Sequence, residues 1–165
     1  MQRLVPAPLH RLLYRIAYRV RRGYRRTFRR PIHGVNAVLR DGQGRVLLVR
    51  HSYGPPVWTL PGGGHGPGED PALAVRRELA EELSIAIGEL ELLETFEEVL
   101  SGAPHTSSLF AGIAQGEPRP DGREVIAARF FAADALPEPL VPSVRMRLDL
   151  WYALERERAG QSSGS

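Results

Sequence analysis

Apolar and polar positions along this chain switch between a period of two and a period of three to four. Val35 to Leu39 and Arg45 to Arg50 read as short strands, with Asp41-Gly42-Gln43-Gly44 as the hairpin turn between them. Leu90 to Leu100 and Ser107 to Ala114 read as two longer strands joined through Gly102-Ala103-Pro104, and Val125 to Phe131 as another. Trp58-Thr59-Leu60-Pro61 reads as a short strand stopped by its proline. Helical spacing takes over after Asp70, where Ala72, Val75, Leu79 and Leu83 form one apolar stripe. Asp70 is the expected N-cap of that helix and Pro71 its first residue. A further helix is expected over Met146 to Glu157, with Leu148, Leu150, Trp151 and Leu154 available for packing.

The N-terminal stretch is amphipathic in a different way. Leu9, Leu12, Leu13, Ile16, Ala17, Val20 and Tyr24 fall on one helical face, and Arg11, Arg15, Arg19, Arg22 and Arg26 fall opposite. Pro6 and Pro8 precede the run, and Gly23 weakens its middle. The pattern therefore divides the chain into an arm (1–30), one domain (31–159) and a small polar tail (160–165) expected to be flexible.

Charge sharpens that division. All 22 basic residues are arginines; ten lie in residues 1–30, which hold no acid, leaving twelve against 19 acids in the rest. A basic, amphipathic arm on an acidic body suits an interfacial helix on an anionic membrane surface, engaged through residues 9–30. Packing of its apolar face on the domain, or across a homodimer, is nearly as well supported by the pattern. Phosphate binding to nucleic acid ranks third. There are no cysteines, which excludes disulfides, thiolate metal sites and thiol nucleophiles. No apolar run approaches the roughly 18 residues of a membrane span. Arginines interrupt any secretory h-region, and a mitochondrial presequence would carry more serine. The expected location is cytoplasmic, with peripheral association at a membrane.

The chemistry concentrates between Gly62 and Ile85. Glu78, Glu81 and Glu82 stand at i, i+3 and i+4, so their carboxylates gather along one side of a helix. Like charges so placed repel by about 0.2–0.5 kcal/mol per pair on a bare helix. A hard divalent cation relieves that repulsion, and Mg²⁺ commonly bridges carboxylates to substrate phosphates. The glycine run Gly62-Gly63-Gly64 just upstream exposes backbone and lets it approach a ligand closely. His65 follows in the same loop.

Gly63, Glu69, Arg77, Glu78, Leu79, Glu81, Glu82 and Ile85 together resemble the Nudix box, G-x5-E-x7-R-E-U-x-E-E-x-G-U with U aliphatic. Eight of the nine fixed positions match, and Ser84 replaces the last glycine. The six matched polar and glycine positions alone would agree by chance less than about once in a million windows. Ser84 ends the helix, where a left-handed residue is common, and serine there costs about 1–2 kcal/mol without removing a catalytic group.

The resemblance covers about residues 32–158 and implies an α/β (α+β) fold, an α/β/α sandwich with a mixed sheet, preceded by the basic helix. It implies metal-dependent hydrolysis of a diphosphate bond in a nucleoside diphosphate linked to another moiety. By resemblance, Glu78, Glu81 and Glu82 hold Mg²⁺ or Mn²⁺, with a backbone carbonyl of Gly62 or Gly63 as a further ligand. Arg77 would orient Glu78, and Glu69 would support the loop. Gly63, Gly64 and His65 would meet substrate phosphate. The base for the attacking water is left open among the box glutamates and Glu124, with Glu97 and Glu98 as weaker choices. Tags for ADP-ribose, dinucleoside polyphosphate, NADH or coenzyme A substrates are absent or displaced. Nucleoside triphosphates, small nucleotide sugars and lipid-linked diphosphates remain. RNA 5′-diphosphate removal conflicts with the acidic body. The competing class is a Nudix-like module that binds nucleotide or RNA without turnover.

Overall fold

The computed structural model describes residues 8–17, 32–66, 68–100 and 103–162. Residues 8–17 form helix α1. The domain then runs β1 (Ile32–Arg40), β2 (Val46–His51), β3 (Gly62–Gly64), α2 (Pro71–Leu83), β4 (Ala86–Leu100), β5 (Ala103–Gln115), β6 (Val125–Phe131) and α3 (Pro142–Ser162). The six strands make one mixed sheet in the order β4-β5-β1-β2-β6, with β3 attached to β1. β1 runs parallel to β5 and antiparallel to β2 and β3.

Alternation along the central strands builds two cores. Val35, Ala37, Leu39, Leu47 and Val49 face α2, meeting Val75, Leu79 and Leu83. Val38, Val46 and Leu48 face the other way, meeting Val144, Leu148 and Trp151 of α3. Helices thus cover both faces of the sheet, as the α/β/α expectation requires. Trp58 joins the α3-side core, edge-on to Phe131 at 5.0 Å. Arg147 is buried there too, donating to Asn36 Oδ1 (2.6 Å), Glu98 Oε1 (3.0 Å) and Ser107 Oγ (3.1 Å). These bonds offset the cost of burying its charge.

β1 is shared between two neighbours on one edge. Its end pairs with β2 at Arg40↔Val46, while its start pairs with the glycine strand at Gly34↔Gly64, Val35↔Gly63 and Asn36↔Gly62. The expected strand at Trp58 to Pro61 is therefore corrected: those residues make only isolated bridges, Val49↔Thr59 and Trp58↔Leu140. The strand lies one step later, and at Gly62 only a residue without a side chain fits against β1. A Cβ on Gly62 would sit 2.0 Å from the Val35 carbonyl oxygen.

Three other boundaries move. β4 begins at Ala86, directly after the helix, and takes up its extra length through register shifts at Ile87/Leu90 and Leu92/Glu94. Ala103 and Pro104 belong to β5, and Gly102 lies outside the described residues. α3 starts at Pro142, a residue suited to a first helical turn, and continues through Gly160 to Ser162. The flexible tail expected from residue 160 is thus helical as far as 162, and 163–165 lie outside the described residues.

α2 begins and ends as its sequence predicts. Asp70 Oδ1 accepts from the backbone N–H of Ala72 (2.8 Å) and Leu73 (3.0 Å). Ser84 is left-handed (φ 52, ψ 34), and its N–H bonds the Ala80 carbonyl at 3.1 Å. Ser84→Gly should therefore stabilise the fold by about 1 kcal/mol, read as a melting-temperature rise of about 2–4 °C. An unchanged or lower melting temperature would mean that the serine carries no strain.

Candidate active site

The carboxylates of α2 divide by burial. Glu82 is buried (6% exposed), Glu78 is half-buried, and Glu81 is exposed. Arg77 gathers the site's acids: its guanidinium forks onto Glu69 Oε1 at 3.1 Å, donates to Glu78 Oε1 at 2.8 Å and lies 3.6 Å from Glu81. Glu69 in turn accepts the Gly66 N–H at 3.0 Å, so the loop after β3 is tied to α2 through Arg77. That backbone bond and Arg77 hold the Glu69 carboxyl below its ordinary value.

Gly63 lies directly over Glu78. A Cβ there would come within 2.4 Å of Glu78 Cδ, so the glycine forms a cradle that the carboxylate fills. Gly64 is open by comparison, with the His33 carbonyl oxygen at 3.7 Å from a built Cβ. His65 stands beside His33, ring centroids 5.4 Å apart, with its N–H on the His33 carbonyl at 3.1 Å.

Glu124 reaches this cluster from a distant loop. The last carbonyls of α2 need donors, and the loop supplies them: Asp121 N–H donates to Glu82 O (2.8 Å) and Arg119 N–H to Leu83 O (2.7 Å). Asp121 Oδ1 then accepts the N–H groups of Arg123, Glu124 and Val125 at 2.9–3.1 Å, folding a tight turn that delivers Glu124 toward Glu82. Ser52 N–H closes the other side on Glu124 O at 2.7 Å.

Burial, then the charges of Glu78 and Glu124, push the Glu82 carboxyl up to about 9. Burial also raises Glu78, against the opposing pull of Arg77. Beside these acids, burial and the Glu124 charge raise the Tyr53 hydroxyl, and burial lowers His51. The Tyr53 ring stacks on His51 at 5.0 Å and on Tyr14 of α1 at 6.1 Å. The Tyr14 hydroxyl is within hydrogen-bonding reach of Glu124.

The structure thus brings together Gly63, Glu69, Arg77, Glu78, Glu82 and Glu124. It takes Glu97 and Glu98 elsewhere: Glu97 accepts from Thr106 Oγ1 at 3.2 Å, and Glu98 pairs with Arg147 at 3.0 Å on the α3 side. His105 lies within β5. Asp121 and Tyr14 were not anticipated. The Asp121-Gly122 pair is a turn signal, but nothing local in the sequence ties Tyr14 to Glu124.

Among the described residues no three acids or histidines are placed together to hold a metal ion by themselves. The donor set is instead an open row of carboxylates beside a backbone cradle. That suits a hard cation that keeps several waters, and burial together with the charges of Glu78 and Glu124 makes ionised Glu82 costly there.

Comparison with known proteins agrees with this geometry. Residues 30–151 match the NUDIX domain. The solved MutT NUDIX hydrolase of Burkholderia pseudomallei is 32% identical, with a TM-score of 0.66 over 73% of this chain and 97% of its own. Among sequence relatives, an isopentenyl-diphosphate Delta-isomerase of Frankia alni is 35% identical over 61% of this chain and 58% of its own. An RNA pyrophosphohydrolase of Dinoroseobacter shibae is 33% identical over 61% and 63%. The chain therefore spans less than two thirds of the length of these two relatives. With the box on α2, its glycine strand and a domain match over most of its length, the chain belongs to the Nudix hydrolase family.

Proposed function

We propose that this protein hydrolyses a diphosphate bond in a nucleoside diphosphate linked to another moiety, using Mg²⁺ or Mn²⁺. The observation that carries this reading is the convergence of Glu78, Glu82 and Glu124, with burial and its two acidic neighbours holding Glu82 up to about 9. Glu78, Glu81 and Glu82 would hold the metal, with a carbonyl of Gly62 or Gly63 beside them. Nudix hydrolases generally use divalent metals, and such a metal supplies charge neutralisation at the diphosphate and a bound water of lowered pKa.

The chain's own residues do the rest. Arg77 fixes the Glu78 carboxylate, and Glu69 holds the loop that carries the glycine strand. Gly63 and the more open Gly64 would offer backbone, and His65 a side chain, to the phosphates. Glu124 faces the same space as Glu82 and is the candidate to take the water's proton. Removal of that proton lets the water oxygen bond phosphorus as the bridging oxygen leaves with its electron pair.

Two relatives are named for different reactions, isomerisation and pyrophosphate hydrolysis, and the proposed hydrolysis is tested directly. Nucleoside triphosphates, nucleotide sugars, ADP-ribose and dinucleotides are incubated with Mg²⁺ or Mn²⁺, and the phosphate-bearing products are resolved. Metal-dependent cleavage of one class supports the proposal and names the substrate. Intact diphosphates across the panel, with bound nucleotide retained by the protein, would replace it with the non-catalytic binding module.

A further inference from the structure

Helix α1 is docked on the domain by the face that polarity would assign to solvent. Arg11 Nε donates to the Gly122 carbonyl at 2.7 Å, and Arg15 Nε to the Ser52 carbonyl at 2.9 Å. Between them Tyr14 stacks on Tyr53 and reaches Glu124. These residues, at i, i+3 and i+4, share one side of the helix and grip both loops that hold Glu124. Leu9, Leu12, Leu13 and Ile16 share the opposite side, each 48–52% exposed. The alternative in which the apolar face packs on the domain is therefore not what α1 does among the described residues.

Four half-exposed aliphatic side chains on a ten-residue helix are costly to leave in water, at about 25 cal/mol per Å². Charge complementarity selects the occupant. Residues 1–30 carry ten arginines and no acid, so although Arg11 and Arg15 turn to the domain, the net charge of the segment favours an anionic surface. No helix among the described residues is long and apolar enough to cross a membrane, so contact through α1 is with the surface. We propose that the Leu9–Leu12–Leu13–Ile16 face of α1 seats in an anionic lipid surface and, because its other face is clamped to the carboxylate site, holds the active-site mouth about one helix diameter, roughly 10 Å, from that surface. The membrane association rests on α1 and the arginines. Its relevance to catalysis rests on the reading given under Proposed function.

The test uses the full chain and the double variant Leu12→Ser/Leu13→Ser, whose changed residues are exposed and touch no part of the site. Both are sedimented with vesicles of equimolar phosphatidylglycerol and phosphatidylcholine and with phosphatidylcholine alone, while hydrolysis of a soluble nucleotide substrate is measured in parallel. The expected result is binding to the anionic vesicles only, weakened about tenfold or more in the variant, with unchanged soluble hydrolysis. Absence of vesicle binding, or binding that the variant leaves unchanged, overturns the proposal. So does a dimer in sedimentation equilibrium that the variant dissociates, since the face is then covered by a second copy. Failure of soluble hydrolysis in the wild type would strike the catalytic reading alone, because sedimentation is read independently.

Discussion

Glu82→Gln should lower metal-dependent hydrolysis by about a thousandfold, on the scale of losing a principal electrostatic group in an active site. The same change should make the metal-free protein more stable. In the folded, metal-free state the Glu82 carboxyl titrates near 9, against an ordinary value of 4.5 in the unfolded chain. Between those values the folded state keeps a proton that the unfolded state has released, so rising pH favours unfolding. The stability associated with the protonated acid is complete below about pH 4.5 and drains away as pH climbs toward 9. Glutamine carries no such proton. At pH 8 with chelator, the variant should therefore gain about 1–2 kcal/mol over wild type, or roughly 3–6 °C in melting temperature, and at pH 4 the gain should vanish. Mg²⁺ should raise the melting temperature of the wild type far more than that of the variant. Calorimetry at the two pH values, with and without metal, checks all three. A variant that loses activity yet melts like wild type throughout would show that Glu82 is not a strained acid awaiting a cation.

Alanine substitutions across the glycine strand should separate folding from catalysis within three consecutive residues. At Gly62 (φ 149) the new Cβ meets main-chain atoms of Val35 and Asn36, which cannot move without breaking β1. Gly62→Ala should cost more than about 4 kcal/mol and abolish a cooperative melt. At Gly63 the obstacle is a side chain, the Glu78 carboxylate, which can swing aside. That variant should fold, yet lose about a hundredfold in kcat/KM through misplacement of a single acid. Gly64→Ala should stay within about 0.5 kcal/mol of wild type, since its nearest new neighbour is in ordinary contact. Circular dichroism and steady-state kinetics on the three proteins decide the order. Equal damage at Gly63 and Gly62 would refute the view that the middle glycine exists for Glu78.

The box helix could be read almost residue by residue because its determinants are local. Asp70, Pro71, the apolar stripe and the left-handed Ser84 all act within one or two turns. The hairpin of β1 and β2 was readable for the same reason, through its turn residues. A strand is expected at Trp58 to Pro61 and the paired residues are Gly62 to Gly64 instead, because apolar content marks strands in sequence whereas here close approach to β1 selects glycine at 62. Glu124 could be nominated but not positioned, since its approach depends on hydrogen bonds between a loop and the end of α2. The arm showed its amphipathicity plainly. Which face would turn inward did not follow from it, because two arginine–carbonyl bonds and a tyrosine stack set the orientation against simple polarity. Residues 18–31, where that pattern continues, lie outside the described residues.

The staple between α2 and the loop at Arg119 to Val125 uses main-chain donors and main-chain acceptors at both of its closing bonds. Such a joint is blind to the side chains it carries, apart from Asp121, which shapes the turn. Whatever residue stands at 124 inherits the same address beside Glu82. A different side chain could therefore be exchanged into that address without disturbing the backbone joint, while the field it presents to Glu78 and Glu82 would change with it. The backbone thus sets where the residue at 124 stands independently of which residue it is, so a single codon can change the charge presented to Glu82 without moving its address.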